Sequence, residues 1–372
     1  MELLETIDGG SELLEEIQAE SGPERDVPIA EAVSEFCEYK STEIVESTRK
    51  EYENKLGYFE EFCEKNSIDV LSDLEPRDIV QFRIWRRTES HSRESPLSEK
   101  TMSDEMYRFK SFLRYMERVD AAASGLHEGI EPPSGGDAVR DIDIKDERVQ
   151  RILTYLNDFE YATVAHVIWA VYANSGCRPG GLHSLDRGDV HLDDENPYIE
   201  FRHRPPETSL KNQEEGERQV YIDEKVAQII GDYIREVRAE VTTDSGREPL
   251  LTSDEGRLSK STMRKHIYAW SRPCEVGAGC PHDRNPSSCE ATRSRSVASR
   301  CPSSRPPYAL RHGYLTQKRR DGAPLPILSG RCDVSEEVIR KHYDERTEEE
   351  KRELRQEHLT KLFEGNETGG FL

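Results

Sequence analysis

The sequence of 372 residues contains no long apolar run and few large hydrophobic side chains. Hydrophobic residues make up 34% of the chain, with only 5 methionines and 3 tryptophans. A membrane-spanning helix needs about 20 consecutive apolar residues, and no stretch approaches that length. The chain also opens without the apolar segment of a secretory signal peptide. We therefore expect a soluble, cytoplasmic protein with no membrane partner.

Positive charge is also in short supply. Lysine and arginine number 52 against 74 aspartates and glutamates, which gives a net charge of -22. Nucleic-acid binding normally needs a basic footprint, so this sum argues against DNA unless the acidic residues lie away from the contact surface. An acidic excess of this kind is typical of a halophilic protein, since screening at about 1 M salt shortens the Debye length to ~3 Å. An ordinary acidic protein that never meets DNA is the alternative.

Apolar periodicity and breaks in it predict the domain organisation. A helical pattern covers the region from Pro28 to Val119, with a capping box expected at Thr48 and Glu51 and a helix start after Pro76. A stretch rich in glycine, proline and alanine follows and is typical of a linker. The predicted divisions are an acidic flexible tail over 1–26, a helical domain over 27–120, a linker over 121–143, a second domain over 144–362 and a flexible end over 363–372.

The second domain mixes helices with short strands. Helical patterns over 145–156 and 161–173 precede strand signals at Tyr198–Phe201 and 218–222, and a polar loop between these strands carries Lys211. Helices are expected again over 224–239 and 261–271. The predicted fold class is mainly α with a small antiparallel β-sheet, an α+β arrangement.

Three short motifs in the second domain resemble the boxes of the tyrosine recombinases, the family of phage integrases and Xer-type enzymes. The segments are Gly176-Cys177-Arg178-x-x-Gly181-Leu182-x-x-Leu185-x-x-x-Asp189, Tyr308-Ala-Leu-Arg311-His312 and Arg340-Lys-His-Tyr343. Lys211 matches the catalytic lysine of the family's β-hairpin, and the long spacer between Arg331 and Tyr343 is similar to that of archaeal integrase-like proteins. Tyr308 stands where the family usually has histidine, Arg331 where it has histidine or tryptophan, and Gly181 where glutamate is common.

The resemblance implies a site-specific DNA recombinase that acts on double-stranded DNA through a 3′-phosphotyrosyl intermediate. Arg178 and Arg311 would clamp the scissile phosphate, because a guanidinium fork pairs with phosphate oxygens and stays charged. Tyr343 would attack phosphorus and Lys211 would protonate the leaving 5′ oxygen. Tyr308 would position groups in the site, and Arg331 could donate a hydrogen bond to the phosphate.

Further expectations come with the same resemblance. Catalysis would need no cofactor, the helical domain would act as a core-binding clamp on DNA, and four protomers would join two DNA sites as a homo-oligomer. The rival interpretation is a non-catalytic or weakly active DNA-binding protein that keeps the fold, and the departures at Tyr308 and Arg331 favour it.

A cysteine-rich insert, predicted over 272–303, precedes the second box. Cys274, Cys280, Cys289 and Cys301 lie in a stretch rich in glycine and proline and poor in apolar residues, which suits a closed structural zinc site. His282 could replace one thiolate as a ligand. Reduced thiols or a disulfide are the alternatives, and several arginines make DNA contact by the insert plausible.

Overall fold

The computed structural model describes residue 23 and residues 25–90, 96–133, 144–344 and 346–364. Most of the predicted acidic tail, the second half of the predicted linker and nearly all of the predicted flexible end lie outside these residues. The chain divides into two compact units, Met1–Val139 and Arg140–Leu372. Each unit has its own hydrophobic core.

The first unit is helical and packs around a cluster of aromatic rings. Phe59 lies at its centre, with ring centroids 5.4 Å from Phe82 and 4.7 Å from Phe109. Such aromatic contacts add to the free energy gained from burying the rings. The helices are α1 (Ile29–Ser41), α2 (Glu46–Asn66), α3 (Pro76–Thr88) and α4 (Glu99–Arg118), with a 3-10 turn at Leu71–Asp73.

Two predicted helix starts in this unit have different outcomes. Helix α3 begins at Pro76 as expected, and Glu75 and Asp78 form a reciprocal capping box around its first turn. The capping box predicted at Thr48 is wrong, because α2 already begins at Glu46 and Thr48 lies inside its first turn. The cap position is Val45, whose side chain offers no acceptor.

The segment predicted as a linker starts later than the sequence pattern indicated. Ala121, Ala122, Leu126 and Ile130 are buried and belong to the core of the first unit. Small apolar residues separated by glycine and polar residues show no helical period, so their packing was not visible in the sequence. The helical unit thus continues past residue 120.

The second unit combines nine helices with two small antiparallel sheets within the described residues, which confirms the predicted mainly α fold with a small antiparallel sheet. Strands β1, β2 and β3 form one sheet in that order, with Ile199 paired to both Val190 and Val220. The elements are α5 (Asp146–Phe159), α6 (Val164–Ser175), α7 (Pro179–Ser184), β1 (Val190–His191), β2 (Tyr198–Phe201), β3 (Arg218–Tyr221), α8 (Glu224–Glu236), β4 (Thr252–Ser253), β5 (Gly256–Arg257), α9 (Lys260–Trp270), α10 (Pro307–Arg320), α11 (Leu325–Cys332), α12 (Glu336–His342) and α13 (Glu348–Glu364).

Helix α6 forms the centre of the second unit. It packs against α5, α8, α9 and α10, and Trp169 and Tyr172 on it are almost fully buried. The helix ends at Gly176, which adopts a left-handed conformation with φ of 61°. This turn directs the chain from the core into Arg178, the first residue of the candidate site. Among the helices of the described residues, none has both the length and the apolar character needed to cross a membrane.

Candidate active site

Arg178 lies at the start of a short helix, where the chain leaves the core. It is the N-cap residue of α7 and Pro179 follows as the first helical residue. Its guanidinium is half-buried and Nη1 contacts the Asp333 carboxylate. Burial and the nearby Arg311 charge lower the pKa of Arg178, while Asp333 and Tyr343 raise it. Arg178, Arg311, Asp333 and Tyr343 thus lie within electrostatic reach of one another.

Arg311 ties together the ends of two helices from the interior of the unit. It is 5% exposed on α10, and its Nη1 donates to the Gly176 carbonyl at 2.9 Å and to the Cys332 carbonyl at 2.7 Å. The first acceptor ends α6 and the second ends α11. Charge-assisted bonds to two backbone carbonyls hold the guanidinium in a fixed place beside Arg178 and Tyr343.

Tyr343 follows α12 and is 4% exposed. Its ring belongs to a small apolar cluster with Leu315, Leu328 and Ile339. Burial, and next the hydrogen bond with Tyr308, raise the pKa of the Tyr343 phenol well above its ordinary value, while Arg311 acts to lower it. The phenol is therefore held neutral but next to a permanent positive charge.

The Tyr308 hydroxyl lies beside the hydroxyl of Tyr343. The two hydroxyl oxygens are 3.3 Å apart, and Tyr308 is 46% exposed. The neighbouring His312 ring lies 4.9 Å from the Tyr343 ring, centroid to centroid. The Tyr308 hydroxyl can therefore donate or accept one hydrogen bond at the phenol oxygen of Tyr343.

Lys211 extends from the loop between β2 and β3 and is exposed. Within the described residues its ammonium has no hydrogen bond or ion pair with the protein. The next residue, Asn212, donates from Nδ2 to Asp333 Oδ1 at 2.6 Å. The loop that carries Lys211 is thereby attached to the same carboxylate that contacts Arg178.

The Arg331 side chain is engaged with other parts of the protein and joins three structural elements. Its Nε donates to the Tyr314 hydroxyl at 2.8 Å, and its Nη2 donates to the backbone carbonyls of Asn174 at 2.9 Å and Tyr221 at 2.8 Å. These partners lie on α10, α6 and β3. The structure therefore brings Arg178, Arg311, Tyr308 and Tyr343 together, with Lys211 on an adjoining loop, and engages Arg331 in the surrounding framework.

Two acidic residues of the site were missed by sequence reasoning. Asp333 follows α11 in a left-handed conformation with φ of 53°, and Asp344 follows Tyr343 directly. The Asp344 carboxylate accepts bonds from Arg319 at 3.0 Å and from Arg346 at 2.6 Å, and these arginines hold its pKa far below the usual range. Neither residue belongs to a motif of the resemblance, so only the folded arrangement reveals them.

The four cysteines of the insert are not gathered into a metal site. In the described ranges, no three histidine, cysteine, aspartate or glutamate side chains lie close enough to hold a metal ion. His282, the candidate substitute ligand, instead pairs through Nε2 with the Ser303 hydroxyl at 2.9 Å. The side chains as placed do not fit a tetrahedral zinc. The insert is held from within by buried Arg272, whose Nη1 donates to the Ala291 carbonyl at 2.6 Å.

Comparison with solved structures identifies the fold. The integrase of the Tn1549 transposon, in complex with transposon right-end DNA, matches with a TM-score of 0.61, 13% identity, and coverage of 90% of this chain and 100% of that one. A lambda integrase dimer bound to a COC′ core site matches with a TM-score of 0.59, 12% identity, and coverage of 93% and 87%.

The chain has the tyrosine-recombinase fold. This confirms, at the level of the fold, the resemblance stated from the three sequence boxes. No protein-family model matches the chain, and no curated protein matches it either.

Proposed function

We propose that the protein is a site-specific DNA recombinase that cuts and rejoins DNA strands through Tyr343. One observation carries the proposal: two arginines and a tyrosine from three separate helical segments meet in a fold shared with integrases solved on DNA. A phosphodiester placed beside Arg178 and Arg311 would meet two permanent cations and one nucleophile. Preorganised donors of this kind stabilise a phosphorane-like transition state, and removing one typically slows a reaction about 100-fold.

The proposed first step transfers a DNA strand to the enzyme. The Tyr343 oxygen forms a bond to phosphorus while the bond from phosphorus to the 5′ oxygen breaks. The phenol proton passes to solvent, and the Lys211 ammonium gives a proton to the departing oxygen. The products are a 3′-phosphotyrosine and a 5′ hydroxyl. In the second step a 5′ hydroxyl from another strand forms a bond to phosphorus and gives its proton to the neutral Lys211 amine. The bond from phosphorus to the Tyr343 oxygen breaks, and this oxygen takes a proton from solvent.

The residues around Tyr343 take supporting roles in this proposal. The Tyr308 hydroxyl orients the phenol oxygen from its distance of 3.3 Å. Arg331 holds α6, α10 and β3 together, because its side chain donates hydrogen bonds to acceptors in all three elements. The domain assignments follow the same scheme, with the helical region 27–120 gripping DNA, 144–362 performing the chemistry and the insert 272–303 within it.

Double-stranded DNA is the proposed partner, with four protomers joining two sites as the family resemblance implies. The proposed location is the cytoplasm, where the protein would meet this DNA. The net charge of -22 suits a halophilic setting, where salt screens repulsion between acidic surface and DNA. Measuring the urea midpoint in 0.1 M and 2 M KCl tests this part, since a halophilic chain should gain stability with salt.

No catalytic metal is part of the proposal, because the phosphate ester that is broken in DNA is kept as the ester between phosphorus and Tyr343. The zinc prediction for Cys274, Cys280, Cys289 and Cys301 is tested by metal analysis of the purified chain. One tightly held zinc per chain, lost from a variant with all four cysteines changed to serine, would establish it. If the chain holds no zinc, a chelator should leave strand cleavage by Tyr343 unchanged.

The decisive experiment captures the covalent intermediate. A pool of nicked duplexes with a randomised central sequence is incubated with the protein, and denatured protein–DNA adducts are isolated and sequenced. We expect an enriched sequence and a nucleotide mapped to Tyr343 by peptide analysis, with no adduct for Tyr343→Phe. DNA binding without an adduct would favour the rival interpretation of a non-catalytic DNA-binding protein. An adduct that persists in Tyr343→Phe would overturn the mechanism.

A further inference from the structure

Asp333 connects two parts of the site that the sequence boxes leave separate. Its carboxylate contacts Nη1 of Arg178 and accepts a hydrogen bond of 2.6 Å from Asn212 Nδ2. We propose that Asp333 is a positioning residue that holds Arg178 and the Lys211-bearing loop in one catalytic arrangement. This inference rests on the proposed strand-transfer function and assigns a new residue to it.

The position of Asp333 suits this task. Its side chain is 13% exposed, and it lies at the end of α11 with φ of 53° and ψ of 62°. Aspartate and asparagine tolerate this left-handed conformation better than other residues with a Cβ atom. The loop also approaches the carboxylate at a second point, since a Cβ on Gly216 would lie 3.4 Å from Asp333 Oδ2. Both ends of the short segment after Lys211 therefore lie against Asp333.

The carboxylates of the first arginine box are engaged away from Arg178, since Asp186 and Asp189 both pair with Arg204. Gly181 occupies the position where glutamate is common in the resembling family, and a Cβ at Gly181 would lie 3.2 Å from the Phe201 ring. A glutamate there would require the ring to move. The carboxylate that faces Arg178 comes instead from a position 155 residues later in the chain.

The contact has a direct consequence for each catalytic group. A guanidinium presents five N–H donors, so a contact through Nη1 restrains Arg178 and leaves donors for phosphate oxygens. Lys211 is exposed and flexible, so its ammonium reaches a leaving oxygen reliably only if its loop is fixed. The Asn212 bond provides that restraint. Loss of the carboxylate should therefore weaken phosphate clamping and proton donation together.

The competing interpretation makes Asp333 a stand-in for phosphate. In that case the carboxylate would merely occupy Arg178 until DNA displaces it, and its removal would speed cleavage or leave it unchanged. The two interpretations predict opposite effects on the cleavage rate at saturating DNA.

The test combines three variants with two substrates of the sequence enriched by covalent capture. One substrate has the natural 5′ oxygen at the scissile bond and the other has sulfur there. A thiolate leaves without being protonated, so the sulfur substrate removes the need for Lys211 as an acid. The variants are Asp333→Asn, which keeps the backbone preference, Asn212→Ala, which cuts only the loop contact, and the control Glu215→Gln, which removes an exposed charge from the same loop.

We expect Asp333→Asn to form adduct about 100-fold more slowly and Asn212→Ala about 10-fold more slowly than wild type on the oxygen substrate. Sulfur should restore Asn212→Ala to the wild-type rate and Asp333→Asn only in part, since Arg178 stays unrestrained. Glu215→Gln should match wild type on both substrates. Thermal melts of each variant establish that the fold is kept.

Two results would overturn the inference while leaving the proposed function intact. One is an Asp333→Asn rate equal to or above that of wild type on the oxygen substrate. The other is a loss in Asn212→Ala that is the same on both substrates, which would mark a purely structural effect. Absence of a wild-type adduct on either substrate would instead reject the strand-transfer function itself, and the inference with it.

Discussion

The hydroxyl oxygens of Tyr308 and Tyr343 lie 3.3 Å apart, one ring half-exposed and the other almost fully buried. This pairing places a second phenol where the resembling family usually has an imidazole. Burial and the Tyr308 hydrogen bond raise the pKa of Tyr343, so its hydroxyl keeps its proton near neutral pH. In the proposed mechanism the Tyr343 phenol must therefore be activated chiefly by positive charge from the arginines.

Tyr308→Phe should lower the pKa of Tyr343, because the Tyr308 hydroxyl is the second cause of its elevation after burial. Selective ¹³C labelling of tyrosine, with the Tyr343 signal assigned from Tyr343→Phe, measures this in the free protein. In wild type the signal should titrate above the ordinary range, and in Tyr308→Phe closer to it. Because the pKa of Tyr343 is higher in the folded chain than in the unfolded chain, the unfolded phenol ionises first. The free energy of unfolding should therefore fall as pH rises above about 10. An unchanged titration in the variant would contradict the coupling.

Gly176→Ala should disturb both stability and catalysis. The residue has φ of 61°, and a Cβ there would lie 2.3 Å from the Tyr314 ring. We expect a loss of about 3 kcal/mol in the free energy of unfolding, from left-handed strain and overpacking together. The Gly176 carbonyl is also an acceptor for Arg311, so adduct formation should slow.

Gly246→Ala is the matched control for this change. Gly246 has φ of 79° but no atom within 4 Å of an added Cβ. The Gly246→Ala variant should lose only about 1 kcal/mol in the free energy of unfolding, from left-handed strain, and should cleave DNA at the wild-type rate. Equal losses in the two variants by urea denaturation would show that the contact with Tyr314 adds nothing.

Glu105→Gln should destabilise the first unit. Glu105 accepts from Arg86 Nη2 at 3.0 Å and pairs with Lys55 at 2.7 Å, and the Glu105 and Arg86 side chains are both almost fully buried. Neutralising the carboxylate leaves a buried guanidinium charge uncompensated, which typically costs about 3 kcal/mol. The exposed pair of Lys50 and Glu46 provides the comparison, and Lys50→Ala should change stability by less than about 0.5 kcal/mol. Similar urea midpoints for both variants would refute this ranking.

Acid should destabilise the second unit through its buried histidines. Burial lowers the pKa of His166 to about 4, and its ring Nδ1 accepts from the Ala162 amide at 3.2 Å. Because the folded pKa lies below the unfolded one, this stability is present above about pH 6.5 and is lost as pH falls towards 4. The His166 contribution to this loss should be about 2 kcal/mol at pH 5.

His183 and His266, whose pKa values burial also lowers to about 4, add losses of the same sign. Urea titrations at pH 7 and pH 5 measure the total. His166→Gln, which can still accept the Ala162 bond, should show a smaller difference between the two pH values. An undiminished difference in this variant would assign the acid sensitivity to other groups.

Local sequence signals predicted many of the helices and strands, but they did not predict the contacts between side chains within the site. Strand β2 has the predicted bounds Tyr198–Phe201, since alternating burial and a turn on each side define it locally. The start of α3 at Pro76 was also predictable, because proline is favoured at the first position of a helix. The error at Thr48 shows the limit, because a helix can begin at Val45 without any side-chain cap.

Contacts between residues far apart in the sequence could not be predicted from local signals. The boxes predicted which arginines and which tyrosine to consider, and the fold brings these side chains together. The Arg178–Asp333 contact spans 155 positions, and no periodicity or motif encodes it. Arg331 was expected to face phosphate, yet its carbonyl partners on α6 and β3 depend on how those elements pack. The cysteine spacing likewise could not determine whether four thiols converge.

The left-handed turn at Gly176 connects the hydrophobic core to the candidate active site. The Gly176 amide donates a hydrogen bond to the Tyr172 carbonyl at 2.9 Å, which fixes it to the end of α6. The Gly176 carbonyl accepts a hydrogen bond from Arg311. A single residue thus connects the buried Tyr172 with the Arg311 guanidinium, which is proposed to clamp the phosphate. Substitutions that shift α6 by a few tenths of an ångström should therefore be detected first in the cleavage rate, before they are visible in the melting temperature.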